Sequence, residues 1–191
     1  MTRAATLLVL LLTASALTAC GEEAEPTAAT PAATSTSPEP APSDKASPEE
    51  KKEAEPAAVP DTLDFTATTV GGEELDGATL AGKPVLLWFW APWCPTCRGQ
   101  VPQVEGLAAD YDGELAVVGV GSLDSAEAIA DFAGDVDGVT HLVDTDGVLW
   151  KKFGVAEQSS FVLLGADGEV AFEAGYGGSD ALGSEVADVI G

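Results

Sequence analysis

From Val85 to Trp90 every residue is apolar, and four positions later the chain reads Cys94-Pro95-Thr96-Cys97. An apolar run of this kind, preceded by Lys83-Pro84, fits a strand covered on both faces. Beyond it Val101, Val104, Leu107, Ala108 and Tyr111 recur at helical spacing, which predicts a helix over Pro95 to Tyr111. The two cysteines therefore sit where a buried strand gives way to a helix. A three-residue offset at a helix start leaves their sulfurs close enough for a disulfide. Cys94 falls at the helix N-terminus, where unpaired N–H groups and the macrodipole favour a thiolate. Pro95 suits the first helical position, because its missing N–H is not needed there. Cys97 lies one turn deeper and can displace whatever Cys94 captures. The pair reads as nucleophile Cys94 and resolving thiol Cys97, provided that the sulfurs can join and the leading one faces solvent. A zinc site needs two further ligands, and the lone His141 leaves a metal a poor reading. A merely structural disulfide is the bland alternative, and so short a loop would be a weak staple. No cofactor is implied.

Eight Lys and Arg against 32 Asp and Glu give the 191-residue chain a formal net charge of −24. Phosphate affinity needs clustered cations, so a nucleic-acid partner is excluded, as is a polybasic membrane patch. Hydrophobic residues at 46 % are enough for a core. The folded domain is expected over residues 60–191, where 4 basic and 23 acidic residues give −19. Its pattern predicts an edge strand over Phe65 to Thr68, a Gly71-Gly72 turn, and strands over Leu115 to Val120 and Thr140 to Val143. Asp124 is placed to cap a helix ending near Phe132, and Asp146 one ending near Phe153. Phe161 to Leu164 and Val170 to Ala174 flank Ala166-Asp167-Gly168, a hairpin signature. Asp180 to Ile190 closes as a helix. Strands and helices in this order predict an α/β fold, a mixed central sheet with helices on both faces. Asp144-Thr145-Asp146-Gly147 lacks the later ligands of a calcium loop and reads as a solvated turn. His141 reads as a structural or surface residue, with Trp88 and Trp90 in the core.

The N-terminal segment is not part of that fold. Arg3 precedes an apolar stretch from Leu7 to Ala16. A bilayer-spanning helix needs about twenty residues, so residues 1–19 read as an export signal. The segment ends in Leu17-Thr18-Ala19-Cys20, which resembles the lipobox of bacterial lipoproteins. That resemblance implies a diacylglycerol-modified Cys20 at the mature N-terminus and residence on the outer face of the cytoplasmic membrane by lipid anchor alone. Residues 20–59 form a tether rich in Pro, Ala, Glu, Ser and Thr, with a short helical patch allowed over Pro48 to Ala54.

The segment from Gly82 through Trp93-Cys94-Pro95-Thr96-Cys97-Arg98 resembles the thioredoxin superfamily. It is most similar to the exported group that includes TlpA, ResA and the DsbE- and DsbF-like proteins of actinobacteria. Phe65 to Thr69, Asp146 to Trp150, Phe153-Gly154-Val155 and Ala166-Asp167-Gly168 extend the match across the domain. Pro102 matches the proline that kinks the active-site helix. The resemblance implies a thioredoxin fold and thiol-disulfide oxidoreductase activity on the thiols or disulfides of exported proteins, with a membrane redox partner recycling the pair. Trp93, Pro95, Thr96 and Ser159 would surround the site. Three positions depart from the family. Ser159 stands where the family has a cis-proline, Trp88 where thioredoxins carry a buried acid, and Gln100 where ResA-like reductases carry a glutamate. With both acids absent, an oxidant or isomerase direction is favoured. The alternatives are a cytochrome-maturation type reductase, a non-catalytic binding module on this scaffold, and, at the margin, a copper site of Cys94, Cys97 and His141.

Overall fold

The computed structural model describes residues 59–191; the signal segment, Cys20, the tether and the patch over Pro48 to Ala54 lie outside the described residues. The apolar run forms β3 (Val85–Trp90), buried at every position. It lies between β4 (Ala116–Gly121), parallel to it, and β6 (Ser160–Leu164), antiparallel. Outside β4 come β5 (Thr140–Val143), β1 (Thr66–Thr69) and β2 (Glu74–Asp76), and outside β6 comes β7 (Val170–Ala174). The sheet is mixed, in the order β2-β1-β5-β4-β3-β6-β7. β1 is not the edge strand that the sequence predicts. It pairs with β5 on one side and β2 on the other. β2 is too short and too acidic to read as a strand, yet its one apolar residue, Leu75, turns inward between exposed Glu74 and Asp76.

Alternate side chains of β3 enter two different cores. Leu86, Trp88 and Trp90 meet Val104 and Leu107 of α1 (Pro95–Asp110) and Ile129 and Phe132 of α2 (Ala126–Ala133). Leu182 and Val186 of α4 (Leu182–Ile190) complete that side. Val85, Leu87 and Phe89 pack on the other face with Leu149 and Trp150 of α3 (Val148–Lys152). Helices thus cover both faces, which is why β3 is apolar throughout instead of alternating.

The helix caps differ from the sequence expectation. Ser125, not Asp124, caps α2, its Oγ accepting from the Ala128 N–H (3.2 Å). Asp124 instead accepts from the Ser125 N–H (2.7 Å). At α3 the cap comes from Asp144, not Asp146. The carboxylate accepts from the N–H groups of Val148 (2.7 Å) and Trp150 (3.0 Å), and it is buried, not solvated. Gly147, at φ +65°, makes the turn that lets Asp144 reach forward.

Two glycines of β4 make room for the aromatic centre of the first core. A Cβ on Gly119 would run into His141 Nδ1 and stand 2.8 Å from Trp90 Nε1, and one on Gly121 would stand 2.9 Å from the Trp90 ring. Phe132 stacks on Trp90 at 4.4 Å, and the Arg98 guanidinium lies 4.8 Å from the Phe132 centroid. Gly119→Ala is therefore expected to destabilise the domain by about 1–3 kcal/mol through overpacking. Gly106→Ala, in α1 with nothing within 4 Å of the added Cβ, is expected to stabilise it by about 0.5–1 kcal/mol. Urea midpoints at constant slope measure both.

Candidate active site

β3 ends at Trp90, and Ala91-Pro92-Trp93 turns the chain into α1, the Cys94 N–H donating to the Ala91 carbonyl (3.1 Å). Cys94 is the N-cap of α1 and Pro95 its first residue. Cys94 and Cys97 are joined as a disulfide, their Cα atoms 5.3 Å apart. The Cys97 N–H, one of the free donors of the first turn, points at Cys94 Sγ (3.1 Å). A thiolate on Cys94 would thus meet a main-chain donor and the positive end of a long helix together. Access differs from the sequence expectation. Cys94 is only 1 % exposed and Cys97 is fully buried, so the leading sulfur does not face solvent as the sequence reading required.

Those loops meet because of the strand directions. β3, β4 and β5 run parallel, while β6 runs against β3 and β7 against β6. The C-terminal ends of β3, β4, β5 and β7 and the N-terminal end of β6 therefore share one end of the sheet. From the β4–α2 loop, the Leu123 carbonyl accepts from Trp93 Nε1–H (3.2 Å). From the β7–α4 loop, the Tyr176 hydroxyl bonds Thr96 Oγ1 (2.8 Å). Leu123 (φ +62°) and Ser159 (φ +66°) are the two non-glycine residues at positive φ among those described. Such strain costs about 1–3 kcal/mol each and concentrates at functional sites. Tyr176 and Leu123 were not legible in the sequence. The one hint was an aromatic isolated between Gly175 and Gly177.

The three positions that depart from the thioredoxin pattern touch one another. Trp88 Nε1–H donates to Gln100 Oε1 (2.9 Å), and Gln100 Nε2 reaches the Ser159 carbonyl (3.4 Å). All three residues are buried. The Ser159 N–H donates to the Phe89 carbonyl (2.8 Å), and its carbonyl accepts from the Gly177 N–H (3.0 Å), so both of its main-chain groups are used inside the fold. Its Oγ has no partner. An uncharged amide–indole pair thus fills the place of the two acids and ties α1 to the loop before β6.

His141, on β5, is a core residue and not a surface one. Its ring packs edge-on against Trp90 (5.4 Å) and near Trp88 (6.4 Å), and neither ring nitrogen has a partner. Burial lowers its pKa from 6.5 to about 4. Among the described residues no three His, Cys, Asp or Glu side chains are grouped to hold a metal.

The fold and the joined cysteine pair at a helix start define the class of thioredoxin-like thiol-disulfide oxidoreductases. The chain belongs to the Redoxin family, whose profile matches residues 45–179. The soluble secreted antigen MPT53 of Mycobacterium tuberculosis is 40 % identical over 116 residues, 60 % of this chain and 66 % of that protein. The structure of DsbF from the same organism, in mixed oxidised and reduced forms, superposes with a TM-score of 0.63 at 40 % identity. The match covers 69 % of this chain and 98 % of that one. A secreted disulfide oxidoreductase of M. tuberculosis, homologous to E. coli DsbE, gives 0.61 at 36 % identity, covering 67 % and 98 %.

The His141 shift fixes the sign of a pH effect. Below 6.5 the unfolded chain takes up a proton that the native ring refuses until about 4. Stability is therefore lost as pH falls through that window, by up to about 3 kcal/mol, and is insensitive to this group above it. In His141→Leu the loss between pH 6.5 and 4 is expected to shrink by that amount in urea titrations; an unchanged slope would count against it.

The Thr96–Tyr176 bond generates a second expectation. In Tyr176→Phe and Thr96→Val, excess dithiothreitol should reduce the disulfide about 2–10-fold faster, the equivalent of one lost hydrogen bond. The double variant should be no faster than either single one.

Proposed function

We propose that the chain is an extracytoplasmic thiol-disulfide oxidoreductase of exported proteins, with Cys94 as attacking and attacked sulfur and Cys97 as the resolving thiol. The observation that carries this reading is the Cys97 N–H directed at Cys94 Sγ at the first turn of α1 (3.1 Å). Reduction of the pair would leave a charge on Cys94 at the place best prepared for it. Stabilising the reduced form makes a dithiol couple more oxidising. The uncharged Trp88–Gln100 pair removes the side chains that would otherwise accept the Cys97 proton. Both features favour the oxidant or isomerase direction over a cytochrome-maturation reductase.

Trp93, Thr96 and Ser159 flank the pair and Pro95 sets the helix start. Residues 1–19 serve as export signal, Cys20 as lipid anchor, and residues 20–59 as a tether holding the domain of residues 60–191 off the membrane. A membrane redox protein would recycle the cysteines. The lipobox-like Leu17-Thr18-Ala19-Cys20 supports anchoring, in contrast to MPT53, which is described as soluble. Among the described residues no helix is long and apolar enough to cross a membrane.

Cys94→Ser should lose oxidation of reduced ribonuclease by orders of magnitude, and Cys97→Ser should accumulate mixed disulfides with it. The couple, equilibrated against glutathione, is expected well above the roughly −270 mV of thioredoxin. A value that low would reverse the direction, and inactivity of the unaltered protein would leave the binding-module reading. Cys20→Ala should move the protein from the membrane fraction to the medium.

A further inference from the structure

Exposed apolar side chains at the disulfide end include Trp93, Leu123 and Tyr176, at 53 %, 51 % and 52 % exposure. Trp93 and Leu123 are bound to each other and Tyr176 to Thr96, so these groups border the redox turn itself. The loops that carry them, with those before α3 and β6, contain Asp124, Asp144, Asp146, Glu157 and Asp180 and no Lys or Arg. Asp144 is taken up by the α3 cap, and the other four are exposed.

Two cations near this end, Arg98 and Lys151, offset part of that charge but are outnumbered by the four exposed acids. Arg98 donates to the Pro92 carbonyl (3.2 Å) and lies over Phe132. Lys151 and Lys152 donate to the main-chain oxygens of Asp146 (3.0 Å) and Asp61 (2.7 Å). A domain of net charge −19 therefore presents an apolar rim inside a negative field. The Ser159 main-chain groups are used internally, so that residue offers a client no main-chain contact.

We propose that this face docks a flexible segment of another exported protein in which a cysteine is flanked by apolar residues and by lysine or arginine. The proposal rests on the oxidoreductase reading and names its client class. A client thiolate bonds to Cys94 Sγ as the Cys94–Cys97 bond breaks, and Cys97 leaves as a thiolate that takes up a proton. The second client thiolate then attacks the client sulfur of the mixed disulfide and releases Cys94. Two electrons pass from client dithiol to protein disulfide, so no further oxidant enters the step.

The test uses the oxidised full chain and three two-cysteine peptides with the same apolar residues, flanked by lysine, by glutamate or by neither. Each second-order rate is divided by that peptide's rate with hydroxyethyl disulfide, a neutral reagent, which removes differences in thiol acidity. At about 10 mM salt the lysine peptide is expected to react at least about tenfold faster than the glutamate peptide, the lower end of electrostatic steering. The ratio should approach one near 1 M salt, where the Debye length falls to about 3 Å. The triple variant Asp124→Asn, Glu157→Gln, Asp180→Asn should lower the ratio at least twofold and leave the uncharged peptide's rate unchanged. Serine in place of the apolar residues should slow the lysine peptide severalfold.

Equal normalised rates, or a preference that survives 1 M salt, would overturn the client class while the oxidoreductase reading stands. Failure of all three peptides to be oxidised would overturn both.

Discussion

The main-chain donor aimed at the Cys94 sulfur is the interaction on which the rest depends, and it is a product of where β3 stops. Because β3 is buried between β4 and β6 and walled by helices on both faces, its end is held rigidly. The turn Ala91-Pro92-Trp93 then leaves Cys94 at the N-cap and Cys97 inside the first turn of α1. Burial of the strand thus becomes positioning of the sulfurs, and positioning becomes stabilisation of a charge that exists only when the pair is reduced.

Around that site the chain has replaced charge with neutral hydrogen bonding. Trp88, Gln100 and Ser159 look like three independent departures when read along the sequence. In space they are neighbours, with the indole donating to the amide and the amide reaching the carbonyl before β6. An ionised acid at either side-chain position would need its own partner or would carry a desolvation cost. The amide–indole pair satisfies one buried group with another. The Ser159 loop is fastened from three sides, by Phe89, Gly177 and Gln100. That fastening explains how a non-glycine residue persists at φ +66°, a conformation closed to proline.

His141 shows the same economy on the other side of Trp90. Its ring sits in a space that Gly119 leaves empty, neutral and without a hydrogen-bonding partner. Edge-on packing against two tryptophans is what it contributes, and burial away from water explains why its basicity is depressed and not enhanced.

Much of this was written locally. The uninterrupted apolar run, the cysteine pair just past it, Pro95 and the helical spacing beyond determined a buried strand, a helix and a disulfide between neighbouring turns. Each depends on residues a few positions apart, so a one-dimensional reading can reach them. The acidic excess likewise needs no fold. What the chain could not show alone was every relation that closes over a long separation. Asp144 displaced Asp146 as a cap because a turn at Gly147 brought it within reach. β1 lost its edge because Leu75 found an inward place beside it. Tyr176 reached Thr96 across 80 residues, and Trp88, Gln100 and Ser159 became one network. Strand order and direction set those distances, and they are fixed only when the whole sheet assembles, because each pairing takes its position from the strand beside it.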